Sequence, residues 1–193
     1  MANVDRVNGF RPVGHLVTGS YNGQSRAYSV AADYATALFV GDPVKLSGTS
    51  NTDGIAEVQL AEVNATTIVG IIVGFDVLAP SGATEHPGYH PASTAGIVQV
   101  CDDPFTIYEV QEDGDGGAMA ITAVGETCNH VNAGGSTTTG ASGAELDSSD
   151  VGTGLSFHIL GFSQRVDNEP GSVNAKVLVK INEGNYMPAG VAV

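Results

Sequence analysis

Thr66-Thr67-Ile68-Val69-Gly70-Ile71-Ile72-Val73-Gly74-Phe75 is the stretch on which the fold turns. It is a β-branched run interrupted by glycine. Val and Ile are stiff at χ1 and suit a pleated strand. Apolar side chains on both faces predict a strand buried on both faces, and glycines inside it mark a bulge or a close backbone approach. Just upstream, Ala56–Val63 reads A-E-V-Q-L-A-E-V, with Val58 and Leu60 at the period of a half-buried strand.

The same pattern continues outward. Arg26–Val30 alternates weakly, and Ala37–Val40 runs into the turn signal Gly41-Asp42-Pro43. Pro43–Leu46 sets Lys45 outward and Val44 and Leu46 inward. Downstream, Ile97–Cys101 and Phe105–Gln111 flank the turn Asp102-Asp103-Pro104, and Ser156–Phe162 and Val173–Ile181 flank a turn through Asp167–Gly171. Ala79–Ser93 and Glu112–Gly117 read as a loop and a tight turn. Asn132–Gly154, dense in Gly, Ser and Thr, reads as a long flexible loop. Helical period is confined to Ala118–Val124, enough for one turn. The expectation is an all-β chain, a small β-barrel or sandwich. Its division is an extended N-terminal arm (1–25), a barrel/sandwich domain (26–183, with 132–154 as a loop insertion) and a C-terminal tail (184–193).

Composition narrows the function classes. The chain has 193 residues with 26 glycines and eight prolines, which suits many turns. Twenty-one acids face seven bases, a formal charge of −14. No Lys or Arg occurs from Leu46 to Gln164, a stretch that holds fifteen acids. Such a surface repels phosphate backbones and anionic headgroups, so neither a nucleic acid nor a membrane is expected as a partner. The start, Met-Ala-Asn-Val-Asp-Arg, lacks the basic and apolar regions of a signal peptide, and no apolar run reaches membrane-spanning length. Synthesis in a cytoplasm is therefore expected, and there Cys101 and Cys128 favour two free, buried thiols over a bridge.

Catalytic signatures are sparse. Glu85, His86 and His90 in E-H-P-G-Y-H have the residue types of a zinc site but not the spacing of a helical His pair. The run E-D-G-D-G-G at 112–117 begins like a calcium loop, then places Gly117 and Val124 where ligands are needed. No Gly-x-Ser-x-Gly elbow or Walker loop occurs. No catalysis, metal or cofactor is expected.

The ends of the chain offer contacts instead. Arg6, Phe10 and Arg11 lie close together in the arm. They read either as a segment that orders against a neighbour or as a frayed terminus. Tyr186, Met187, Val191 and Val193 make the tail apolar, which favours packing on another subunit.

Several stretches carry a resemblance. They are N-G-F-R-P-V-G-H-L at 8–16, A-L-F-V-G-D-P-V-K-L-S-G-T at 37–49, V-G-I-I-V-G-F at 69–75 and H-P-A-S-T-A at 90–95. D-D-P-F-T-I-Y-E-V-Q-E-D-G at 102–114 and G-F-S-Q-R-V-D-N-E-P-G at 161–171 continue it. In these the chain resembles the head decoration, or cement, proteins of tailed bacteriophages, particularly marine and cyanobacterial ones. The central Gly-Asp-Pro-Val turn and its following strand also look like the small barrel of trimeric head-stabilising proteins. The resemblance implies a virion structural protein on the capsid surface, with the major capsid protein and further copies of itself as partners, a trimer first and a dimer second. The contact residues expected of the arm and tail are Arg6, Phe10, Arg11, Arg26, Tyr186 and Met187. Deleting residues 2–12 is expected to abolish shell binding and leave the body folded. A rival reading is a carbohydrate-binding or host-adhesive virion protein using Tyr89, Tyr108 and Tyr186. A third is a small hydrolase built on His86 or His90.

Overall fold

The computed structural model describes residues 3–6, 8–63, 65, 67–76, 87–182 and 184. Among them the chain is all-β: strands β1 (Arg11–His15), β2 (Arg26–Val30), β3 (Pro43–Ser50), β4 (Ala56–Leu60), β5 (Gly70–Phe75) and β6 (Gly96–Cys101) precede β7 (Thr106–Gln111), β8 (Thr127–Gly135), β9 (Ser142–Gly152), β10 (Phe157–Phe162) and β11 (Lys176–Ile181). The helical signal at 118–124 resolves to one 3-10 turn, Ile121–Ala123.

Two sheets form. One runs β2-β4-β3-β5-β6 and returns to β2 as a barrel. Its seam is narrow, because β2 and β4 meet in parallel only at Ser29 and Glu57. The Ser29 hydroxyl reinforces the seam by donating to the Ile55 carbonyl at 3.0 Å. The other sheet is six-stranded, β1-β7-β11-β10-β8-β9. It curls, because Glu112, just past β7, makes a parallel bridge to Leu146 of β9.

Each sheet has its own core. Tyr28, Val30, Leu38, Val44, Val58, Val69, Ile72, Val98 and Val100 fill the barrel. A larger core, with Tyr108, Val110, Leu146, Phe157, Ile159, Val177 and Val179 among its members, fills the curl of the six-stranded sheet. The apolar run at 66–75 serves both. Ile68 and Ile71 belong to the larger core, Val69 and Ile72 to the barrel. That shared wall is why the run carries no polar face.

Three expectations change. The stretch 132–154 is not a flexible loop: it holds the end of β8 and all of β9, paired antiparallel. Its small, polar residues still supply backbone donors and acceptors, and β8 and β9 use them as a ladder. Ala37–Val40 is not a ladder strand; Leu38 and Val40 make isolated bridges to His90 and Ala141. The arm is not free either. β1 pairs antiparallel with β7, so the chain's first strand completes the sheet formed by its second half.

Phe10 shows how firmly that first segment is held. It is buried, stacks on Phe157 at 4.4 Å between centroids, and sits edge-on to His130. Its amide donates to the Gly41 carbonyl at 3.0 Å. Gly9 (φ +60°) and Gly41 (φ +100°) cross so closely that a Cβ on Gly41 would meet the Gly9 Cα at 3.0 Å. Two of the quoted motifs, N-G-F and G-D-P, are therefore the two sides of one backbone crossing. Cys101 and Cys128 are free and buried, as the cysteine reading favoured.

Candidate functional site: a basic cleft on the outer face of the sheet

Strand alternation builds this site. On β7 the side chains of Tyr108 and Val110 enter the core, and on β11 those of Val177 and Val179 do the same. Glu109, Gln111 and Lys176 consequently point to the other face. Register brings them together: Arg11 of β1 lies opposite Glu109, and Lys176 of β11 opposite Gln111. The loop after β10 adds Arg165 and Asp167, and the N-terminal segment adds Arg6 and Asn8. Between them lies a cleft of about 190 Å³.

The loop is fixed by Asn168. Its Nδ2 donates to the Ser163 carbonyl at 2.8 Å and the Lys176 carbonyl at 2.9 Å, and its Oδ1 accepts from the Lys176 amide at 2.8 Å. Arg165 Nε then meets Asp167 at 2.9 Å, and Lys176 Nζ meets the same carboxylate at 2.6 Å. Hydrogen bonds from Lys176 and Arg165 hold the Asp167 carboxyl well below the usual carboxylate range. Arg165 Nη1 reaches Glu109 at 3.4 Å, while the Ser163 hydroxyl donates to the other Glu109 oxygen at 2.6 Å.

Gln111 is the hub on the opposite wall. Its Oε1 accepts from the Arg6 amide at 3.2 Å, and its Nε2 donates to Asp5 at 3.0 Å and Glu145 at 2.9 Å. Burial, with Asp5 and Asp113 nearby, pushes the Glu145 carboxyl up to about 7. Arg6 and Arg11 are exposed, and neither forms an ion pair among the described residues. Four of the chain's seven bases thus line one cleft together with Glu109 and Asp167, and Asp5 and Glu145 are held by Gln111 beside it. Chemically the cleft is an anion receiver: two committed cations brace it and two guanidiniums stay open.

Of the expected contact residues, the structure brings Arg6 and Arg11 together. It removes Phe10, which is spent on the chain's own core and is not available to a partner. Arg26 lies apart, on β2, where its Nε meets the buried Asp102 carboxylate at 3.3 Å. Tyr186 and Met187 lie outside the described residues. Arg165 and Lys176 were missed as members of the site. The signal for them was the Q-R-V-D-N-E-P-G turn and the alternation of β7 and β11, which set their charges on one face.

The rival sites fare differently. Tyr108 is fully buried, and the Tyr89 ring stacks on Phe39 at 5.3 Å, so no aromatic platform joins them. His90 is buried and exchanges backbone hydrogen bonds with Leu38, while His86 lies outside the described residues. Two of the three acids of 112–117 cap backbone amides: Glu112 accepts from Gly114 and Ala175, and Asp113 from Asp115 and Ser148. Among the described residues, no group of three or more His, Cys, Asp or Glu is arranged to hold a metal ion. Comparison with protein-family models, curated proteins and solved structures finds no match to this chain.

Proposed function

We propose that this chain is a non-catalytic assembly protein that works by docking its basic cleft on an acidic surface. More particularly, it is a decoration protein that binds the outside of an icosahedral phage capsid and stabilises it. The major capsid protein and further copies of this chain, a trimer before a dimer, are its partners. The observation that carries the reading is the gathering of Arg6, Arg11, Arg165 and Lys176 on one cleft of a chain with charge −14. Opposite charge brought to one place steers docking, and like charge elsewhere disfavours other orientations. The resemblance of the N-G-F, G-D-P and S-Q-R-V-D-N-E-P-G stretches to phage cement proteins supports the same reading. A protein that binds the assembled shell and not its loose subunits stabilises the shell by mass action, and many copies multiply a weak contact.

Co-sedimentation with purified phage heads tests it. Arg6→Glu and Arg11→Glu together are expected to abolish occupancy, with their circular dichroism unchanged because both side chains are exposed. Wild-type occupancy is expected to fall as salt rises, since screening shortens the reach of exposed charges. Unchanged occupancy in the double variant overturns the proposal.

A further inference from the structure

We infer a second binding site, for a neutral carbohydrate, on the outer face of the barrel. It goes beyond the docking reading and does not depend on it. The site is a groove of about 660 Å³ between the β3–β4 pair and the loop after β2, lined by Asp33, Tyr34, Thr36, Thr49, Glu57 and Gln59 among others. That volume is in the range of small-molecule pockets, about 300–1,000 Å³.

The polar groups of the groove are pre-arranged by a bulge. β3 and β4 pair regularly to Leu46 opposite Val58, and then Ser50 lies opposite Ala56, so β3 carries extra residues there. Gly48 takes φ +91° at that point, a conformation that favours glycine. The bulge sets the Ser47 and Thr49 hydroxyls 2.8 Å apart, and Thr49 Oγ1 donates to Glu57 at 2.5 Å. Tyr34 is tethered at three points. Its amide donates to the Ala31 carbonyl, its carbonyl accepts from Ser93, and its phenol oxygen accepts from the Leu60 amide at 3.0 Å. A ring held in this way loses little entropy on contact with a ligand.

The chemistry selects the ligand class. The groove contains carboxylates, an amide, hydroxyls and one aromatic ring, and no Lys or Arg lines it. Carboxylates without cations repel anionic ligands, including acidic sugars. Alternating acceptors and hydroxyl donors match vicinal sugar hydroxyls, and the tyrosine ring offers an apolar surface to a sugar's C–H face. A simple amine would use the carboxylates and leave the Gln59 amide and the hydroxyls idle.

Saturation-transfer NMR of the whole chain tests this with glucose, galactose, mannose and N-acetylglucosamine, and with choline as the cationic probe. Titration follows for whichever binds. At least one neutral sugar is expected to bind, and Gln59→Ala and Asp33→Ala are each expected to weaken it about fivefold or more. Capsid occupancy is expected to stay unchanged in both variants, so failure here is distinguishable from failure of the docking reading. No binding by any sugar, binding indifferent to both substitutions, or preference for choline over every sugar overturns the inference.

Discussion

The barrel and the β8–β9 hairpin are both antiparallel ladders in the main, yet they are stabilised by different means. The barrel strands bury Val, Ile and Leu, and their polar residues mostly face out. The hairpin buries Thr127, Asn129, His130 and Ser142. Each side chain there needs a local partner, and most have one. Asn129 Nδ2 donates to Asp150 at 2.7 Å while its Oδ1 accepts from the Ser156 hydroxyl at 2.9 Å. Thr127 donates to the Gly152 carbonyl at 3.0 Å, and Asn132 to the Ala61 carbonyl at 2.6 Å. A barrel strand therefore tolerates change according to volume, and a hairpin strand according to hydrogen bonding.

The largest effect is expected where the first segment enters the core beside the hairpin. Phe10→Ala removes a ring stacked between Phe157 and the edge of His130, at a cost of about 3–5 kcal/mol. In the barrel, Val58→Ala empties less volume and is expected to cost about 2 kcal/mol or less. Urea denaturation of the two variants measures the difference. Equal losses would break the comparison. The same packing revises the deletion of residues 2–12: it is expected to unfold or strongly destabilise the six-stranded sheet, since it removes Phe10 and part of β1. A binding defect in that truncation would then say nothing about docking, which is why point charges at Arg6 and Arg11 are the better probe.

That contrast also explains what could be read in advance. β2, β4, β6, β7 and β10 were legible, almost to their ends, because alternation or β-branching marks each one. β8 and β9 were not. N-H-V-N-A-G-G and S-G-A-E-L-D-S-S-D have the composition of a loop, and only the neighbouring strands make them a ladder. Arg6 and Arg11 were legible as a pair of cations near one another. That Phe10, between them, turns the opposite way was not, because this depends on the crossing of Gly9 with Gly41, a contact between positions distant in sequence.

His130 is expected to give the next largest effect. It is fully buried in the hairpin, where the Ala61 backbone is the one group that favours a proton on its ring and burial outweighs it. Burial pushes its imidazole down from 6.5 to about 4. Above pH 6.5 the ring is neutral folded or unfolded and contributes no pH dependence. As the pH falls towards 4, the unfolded chain takes up the proton first, so stability is lost, by about 3 kcal/mol in all. Asp42 acts in the opposite direction: burial raises its carboxyl to about 6, so the folded chain takes up that proton first. Glu145 does the same from about 7. The wild-type curve therefore mixes opposing trends, and the difference between wild type and His130→Leu isolates one of them. That difference is expected to shift in favour of the variant by about 3 kcal/mol between pH 7 and pH 4, with the slope between the two pKa values. A pH-independent difference would show that His130 finds a proton partner in the folded chain.

Asn129→Ala is expected to cost about 1–3 kcal/mol, because it leaves the buried Ser156 amide without its Asn129 acceptor and Asp150 without a donor, while the Ser156 hydroxyl keeps the Ala65 carbonyl at 2.8 Å. The barrel's polar counterpart gives the smallest effect. Lys45 of β3 meets Glu62 at 2.8 Å, a contact as short as those of Asn129, but Glu62 is 78% exposed. Water solvates the Glu62 carboxylate whether or not Lys45 touches it, so the ion pair itself is expected to contribute about 0.5 kcal/mol or less to the effect of Lys45→Ala. Thermal denaturation at low and at 1 M salt distinguishes the cases: the small Lys45 effect should vanish with screening, and the Asn129 effect should not. Distance alone would not separate the two, since 2.8 Å lies between the 2.7 Å and 2.9 Å contacts of Asn129. Burial ranks them, because what a polar side chain contributes depends on what it would face if its partner were removed: water at Glu62, the protein interior at Ser156.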